Sequence, residues 1–197
     1  FNEGMAIVKK DNKYGYINKE GKEIVPCIYD FAYDFLNGLA KVQKDGKYTP
    51  KVVVAVDLFG LPADYNAIKP ICQKYGLLLL EDGAQGFGGE INGKKACSFG
   101  DISTTSFFPA KPLGCYGDGG AIFTDNDKWY ALLKSYAVHG KSGDDKYNNI
   151  RLGYNSRLDT IQAAILQVKF KAFKDYEVKD INRVADFYTE EFKLAGL

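Results

Sequence analysis

The side chains best suited to chemistry lie in two stretches, "TSFFPAKPLGCYGDGG" from Thr105 to Gly120 and "LLLLED" from Leu77 to Asp82. Pro109 and Pro112 flank Lys111, so this lysine sits on a stiff, non-helical segment. Phe107 and Phe108 just ahead of it offer an apolar wall, and withdrawing an ammonium group from water favours the neutral amine. A neutral lysine amine is the nucleophile of Schiff-base chemistry with an aldehyde. A solvated surface charge is the alternative for any single lysine, and neighbouring motifs must decide. Asp82 closes an apolar run, where a strand end leaves a carboxylate partly desolvated and in need of a cation or a hydrogen-bond donor. Capping the adjoining loop is its plainer role. The glycines of "GCYGDGG" run into the strand-like "AIFT", whereas a dinucleotide fingerprint comes after a strand and opens a helix. That order disfavours a nicotinamide-dependent dehydrogenase. It leaves the glycines the task of letting backbone cross beside the lysine or approach a flat ligand. An amine, a strand-end acid and a close-approach loop together suit pyridoxal phosphate, whose aldehyde takes an amine and whose ring nitrogen takes a carboxylate.

Such groups need elements to hold them. "KVVVAVDLFG" reads as a short β-branched strand, "DYNAIKPICQKYG" as a helix capped by Asp64 and stopped by Gly76, and "LLLLED" as a second strand. Strand, helix, strand implies a right-handed unit with parallel strands, and such sheets are covered on both faces. "TTSFF" and "GAIFT" read as further strands. "DNDKWYALLKSYAV", "LDTIQAAILQVKFKAF" and "DYEVKDINRVADFYTEEFKLAG" read as helices. In open α/β sheets ligands collect at the carboxyl ends of the strands, where Asp82 would stand. The apolar positions Leu158, Ile161, Ala164, Ile165 and Val168 suit either an intramolecular core or a subunit interface.

The opening residues have a different texture. "FNEGMAIVKKDNKYGY" at Phe1 aligns with "FLNGLAKVQKDGKYTP" at Phe35, pairing Gly4 with Gly38, Val8 with Val42 and Tyr14 with Tyr48. "YGYINKEGKEIVP" reads as strand, glycine turn, strand, so the unit is a β-hairpin repeat. This resembles the WG-repeat family, with Tyr14 and Tyr48 where its tryptophan sits. Residues 1–48 hold one and a half such units, which implies a contact surface or a remnant packed on the α/β portion of the chain.

From about Pro50 onward, "VDLFGLPADYNAI", "LLLEDGAQGFGGEINGKKACSFGDISTTSFFPAKPLGCYGDGGAIFT" and "VHGKSGDDKYNNIRLGYNSRLDTIQAAIL" resemble consecutive blocks of the DegT family of pyridoxal-phosphate sugar aminotransferases. The fold implied is α/β, a partial aspartate-aminotransferase-like large domain over residues 49–197 with a mostly parallel sheet. The resemblance implies that Lys111 holds the cofactor covalently and shuttles the proton. Asp82 pairs with the ring nitrogen, Gln85 lies beside the ring near its phenolic oxygen, and Ser106 binds the phosphate. Asn155 reaches the phosphate of the neighbouring subunit, making a homodimer. "FFPAKPLGCYGDGGA" is similar to the branch that aminates position 3 of nucleotide-linked keto-sugars, with glutamate as the amino donor. His139, the only histidine, is expected to be structural, since the lysine already supplies the base. Relative to the family the large domain lacks portions at both ends. The chain begins at Phe1 rather than Met, which points to a fragment or processed chain and to weakened stability and catalysis.

Composition excludes other classes. Lys and Arg (26) nearly balance Asp and Glu (25), for a formal charge of +1, so there is no broad electrostatic case for nucleic acid or an anionic membrane. Cys27, Cys72, Cys97 and Cys115 form neither a zinc pattern nor a disulfide framework, which fits a reduced cytoplasm. No apolar run approaches a membrane span or a signal segment. The competing reading is a non-catalytic interaction protein in which the hairpins bind a partner and the α/β part is a scaffold.

Overall fold

In a computed structural model, which describes residues 1–2, 4–34, 40–47, 50–142 and 147–197, strands β1 (Met5–Lys10), β2 (Lys13–Asn18) and β3 (Glu23–Tyr29) form an antiparallel sheet in that order. The backbone divides into two units, Phe1–Lys51 and Val52–Leu197. In the first, Asp11 and Asn12 both take positive φ (49° and 61°), as a tight two-residue hairpin between β1 and β2 demands. Gly15 is required where β3 crosses β2, since a Cβ there would lie 2.5 Å from the Val25 carbonyl oxygen. Tyr16 is buried and its hydroxyl donates to the Tyr33 carbonyl at 2.7 Å. The Tyr14 ring lies 5.9 Å from that of Phe31, with the Lys9 ammonium 5.0 Å above it. Lys13 and Asp30 form an ion pair. Short strands β4 (Phe31–Ala32) and β5 (Val42–Gln43) pair antiparallel. The repeat positions Phe35, Gly38 and Tyr48 lie outside the described residues.

The second unit is built on a mixed, mostly parallel sheet. Its strands are β6 (Val52–Val56), β7 (Leu78–Asp82), β10 (Ile102–Ser106) and β11 (Gly120–Phe123), in the order β11-β10-β7-β6. A small hairpin of β8 (Glu90–Ile91) and β9 (Lys94–Lys95) precedes β10. β6, β7 and β10 run parallel and only β11 is antiparallel. Helix α1 (Tyr65–Tyr75) supplies the crossover from β6 to β7. As the sequence predicts, Asp64 caps it by accepting the Ala67 amide at 3.1 Å, and Gly76 ends it in the left-handed region (φ 61°).

α1 packs on the sheet face of Ala55 and Leu79. There Tyr65 and Phe99 stack with ring centroids 4.5 Å apart. Over β6 and the start of β7 the opposite face is bare: Val52, Val54, Val56 and Leu78 stay 45, 56, 45 and 43% exposed. Cover on both faces, expected for parallel strands, is therefore missing there among the described residues, while Thr104 and Ile122 on the same face share a groove with Tyr130 and Leu133. The carboxyl-terminal helices pack elsewhere, on a second cluster of Phe107, Leu113, Cys115, Leu166 and Phe173.

Helix α2 (Asp127–Ala137) is capped by Asn126, which accepts the Lys128 and Trp129 amides. The two final helices expected from the sequence run together. α3 (Thr160–Ala172) passes through a π turn at Phe173–Glu177 into α4 (Val178–Leu194). The wide turn lets Phe173 stay buried against Phe87, with centroids 5.9 Å apart, while the chain continues without a break. On α3, Leu166 faces inward, whereas Ile161 and Val168 are 71 and 74% exposed. Ile161 and Val168 are thus not core among the described residues, while Ile165 is half-buried. Among the described residues no helix is long and apolar enough to cross a membrane.

Candidate active site

The lysine segment is shaped by its prolines and by one glycine. β10 ends at Ser106, whose Oγ accepts the Phe108 amide at 3.2 Å. The chain then turns, with the Lys111 amide donating to the Phe108 carbonyl at 2.9 Å across Pro109 and Ala110, the turn position that proline prefers. Behind the turn the backbone passes so close that a Cβ on Gly114 would lie 2.5 Å from the Pro109 oxygen and 2.7 Å from that of Phe108. The glycine loop therefore lets backbone cross beside the lysine. Cys115, fully buried, closes the crossing through its amide and its Sγ, both on the Phe107 carbonyl (2.8 and 2.9 Å). The expected apolar wall divides: Phe107 enters the core and Phe108 stays half exposed. Lys111 itself is half-buried and pairs with no carboxylate among the described residues.

The five residues singled out by sequence fall into three groups. Lys111 and Gln85 line one cleft of about 930 Å³, with Phe59, Gly88, Pro112 and Phe173 among its walls. Gln85 Oε1 accepts the amide of Phe59 at 3.1 Å, and Phe59 is held at φ 56° with its ring 89% exposed. Asp82 and Ser106 do not line this cleft. They end adjacent parallel strands on one sheet face, since Asp82 is in register with Thr104 and Ser106 lies two residues further on. Asp82 Oδ1 accepts the Ala84 amide at 3.1 Å, so it does cap its loop, and its other oxygen accepts nothing among the described residues. Asn155 is in a separate groove with Thr104, Lys134 and Arg157, and its Oδ1 is held by Arg157 Nε at 2.9 Å. His139 makes a turn at φ 60°, its amide bound to the Tyr154 carbonyl, and lines neither the cleft nor the groove.

Beneath the strand ends lies a polar cluster that the sequence did not single out. Glu81 is fully buried and accepts four hydrogen bonds: Cys97 N (2.5 Å) on Oε1, then Phe99 N (2.7 Å), Gly100 N (3.0 Å) and Ser103 Oγ (2.6 Å) on Oε2. Asp57, just past β6, is equally buried. Its Oδ1 accepts the Tyr65 hydroxyl at 2.6 Å and the Ala63 amide at 3.1 Å. Burial, then the charge of Glu81, raises the Asp57 carboxyl above its ordinary range against these two hydrogen bonds. Burial and Glu81 also push the Cys97 thiol up to about 11. Strand geometry sends Glu81 and Asp82 to opposite faces of β7, and the apolar run before them gave no signal of which one turns inward.

Comparison with known proteins adds independent weight. Residues 37–196 match the model of the DegT/DnrJ/EryC1/StrS aminotransferase family, and residues 1–14 and 14–48 match that of the WG containing repeat, the stretches ending at Tyr14 and Tyr48. Over 147 residues, 75% of this chain and 40% of the relative, the sequence is 46% identical to the UDP-2-acetamido-2-deoxy-3-oxo-D-glucuronate aminotransferase of Pseudomonas aeruginosa. A DegT DnrJ EryC1 StrS aminotransferase from Brucella abortus superposes with a TM-score of 0.72 at 48% identity, covering 76% of this chain and 39% of that one. The ntda protein of Bacillus subtilis, solved with bound cofactor PMP, gives 0.65 at 33% identity over 74% of this chain and 33% of its own. The chain therefore spans about 40% of the length of that curated relative.

Proposed function

Because the chain belongs to the DegT/DnrJ/EryC1/StrS aminotransferase family, we propose that residues 49–197 are the cofactor-bearing part of a sugar aminotransferase large domain, and that residues 1–48 are a hairpin contact surface. The cofactor is pyridoxal phosphate. When bound it supplies an electron sink that carries an amino group from a donor, glutamate in this reading, to a nucleotide-linked keto-sugar.

The chain's own groups fit it through their open valences. Lys111 brings to the cleft shared with Gln85 an amino group that pairs with no carboxylate among the described residues. Asp82 has one carboxylate oxygen that accepts nothing among the described residues, and at a strand end it would serve the protonated ring nitrogen. The Ser106 hydroxyl accepts a backbone amide but donates to none of the described residues, so its proton is available to a phosphate oxygen. Lys111 would be the covalent anchor and the base that moves the proton, and Gln85, in the same cleft, would stand beside the ring. Asn155, in its own groove, serves the neighbouring subunit of a homodimer, an arrangement supported by the exposed stripe through Ile161 and Val168. Four free cysteines support a cytoplasmic location.

The observation that carries the reading is that Asp82 and Ser106 end adjacent strands on one sheet face and that Lys111 stands on the loop leaving Ser106. Incubation with pyridoxal phosphate, reduction with borohydride and peptide mapping test it directly. The expected result is a fixed cofactor mass on Lys111, absent in Lys111→Ala. Labelling scattered over surface lysines, and unchanged in the variant, would overturn it.

A further inference from the structure

We propose that Asp57 and Glu81 share a single proton, carried by Asp57, and that this proton locks the loop after β6, which bears Phe59, to the segment after β7 that presents Asp82 and Gln85. Only its last step, the consequence for the cofactor, rests on the function proposed above. The two carboxyl groups project from neighbouring parallel strands on the same sheet face. Ala55 stands in register with Glu81, and Asp57 is the next residue of that face toward the carboxyl end. Both are 0% exposed.

Their hydrogen bonding is unequal. Glu81 accepts three N–H donors and one hydroxyl, so the protein supplies donors to both of its oxygens. Asp57 fills Oδ1 with Tyr65 and Ala63, while Oδ2 has no partner among the described residues. An ionised Asp57 would leave a buried oxygen unsatisfied beside a second negative charge, and each of these is costly. A proton on Oδ2 removes both penalties at once, because the acid donates to Glu81, and no co-reactant is needed. The surroundings agree: the titratable groups facing Asp57 are Glu81, Tyr65 and Cys97, with Asp82 acting on Cys97. Lys69, whose charge reaches Glu81, lies on α1 and is itself lowered, chiefly by burial.

Asp57 is also where the loops meet. A Cβ on Gly86 would fall 2.5 Å from Asp57 Cβ and 2.8 Å from Oδ2, so the loop carrying Gln85 rests directly on this side chain. The Asp57 amide donates to the Asp82 carbonyl at 3.0 Å. Its Oδ1 pins Ala63 at the far end of the loop that bears Phe59, and the Phe59 amide is the group held by Gln85. Asp57 is thus a positioning residue, one contact removed from both Asp82 and Gln85.

Three measurements on the full chain test this. Infrared difference spectra of wild type and Asp57→Asn at about pH 6, roughly two units above the ordinary Asp value, should show a protonated-carboxyl band that the variant lacks. No such band in the wild type overturns the shared proton. Thermal unfolding should show wild-type stability falling as pH rises from about 4 through the raised native value, since the unfolded chain releases this proton first. Asp57→Asn, whose amide can still donate to Glu81, should lack that slope and be at least as stable at neutral pH. A less stable Asn variant overturns the assignment. Pyridoxal phosphate affinity should drop about tenfold or more in Asp57→Ala and stay within about twofold in Asp57→Asn. Equal affinity in both variants overturns the positioning role. Failure of the wild type to bind the cofactor refutes the proposed function instead, and the infrared band still decides the proton.

Discussion

Replacing Glu81 by glutamine changes only charge and one donor, so beside the proposed contact with Asp57 the larger part of its effect comes from the four bonds that converge there. The amide oxygen can take the Oε2 position and keep Phe99 N, Gly100 N and Ser103 Oγ, at 2.7, 3.0 and 2.6 Å. The amide nitrogen then faces the Cys97 N–H, donor against donor, where Oε1 had accepted at 2.5 Å. Rotating the amide the other way abandons three bonds to keep one. Each retained bond loses its charge assistance, about 1 kcal/mol apiece, and the stranded Cys97 amide costs about 1–3 kcal/mol more. Relief from burying a charge offsets part of this, leaving a net destabilisation of about 3 kcal/mol. For a chain of this size that corresponds to a melting temperature roughly 6–12 °C lower. Circular dichroism melts of wild type and Glu81→Gln measure it, with Glu90→Gln as control. Among the described residues the Glu90 side chain makes an exposed ion pair with Lys95 alone, and its replacement should move stability by less than about 0.5 kcal/mol. A Glu81→Gln melt within about 1 °C of wild type would refute the claim that the carboxylate organises residues 97–103.

Two further outcomes use other parts of the molecule. Thiol titration of the native chain should find Cys27 reactive and Cys72, Cys97 and Cys115 protected, because only Cys27 is not buried; rapid reaction of all four would contradict the packing. Asn126→Ala removes the acceptor of two amides at the start of α2, at 3.0 and 3.1 Å, and should cost about 1 kcal/mol in urea unfolding; no change in midpoint would show that the cap is dispensable.

Local chemistry made the elements of the second unit legible. Asp64 and Gly76 bound α1 because capping and left-handed geometry depend on residue type at one position, and the Pro–Lys–Pro spacing fixes the Lys111 turn for the same reason. What the sequence left hidden depends on which side of an element faces inward. In "LLLLED" the two acids are adjacent, and an apolar run carries no alternation to say which one turns toward α1. Asp82 drew notice for its position at the strand end, while Glu81, with zero exposure and four donors, is the residue on which the loops are built. The same blindness applies to the stripe from Leu158 to Val168. Helical spacing identifies it as apolar, but only the fold shows that Leu166 turns inward and that Ile161 and Val168 face out.

The cluster also explains why a loop as glycine-rich as 83–89 can hold functional groups in place. Gly83 and Gly86 have no side chains with which to anchor it, and backbone of that composition loses more entropy on ordering than any other. The anchor must therefore come from below. Asp57 and Glu81 provide it through contacts that depend on one being an acid and the other a carboxylate. An apolar pair of similar volume would fill the same space yet leave the amides of Cys97, Phe99 and Gly100, together with the Tyr65 hydroxyl, without acceptors. The placement of Gln85 over the cleft is for that reason a consequence of protonation state as well as of shape.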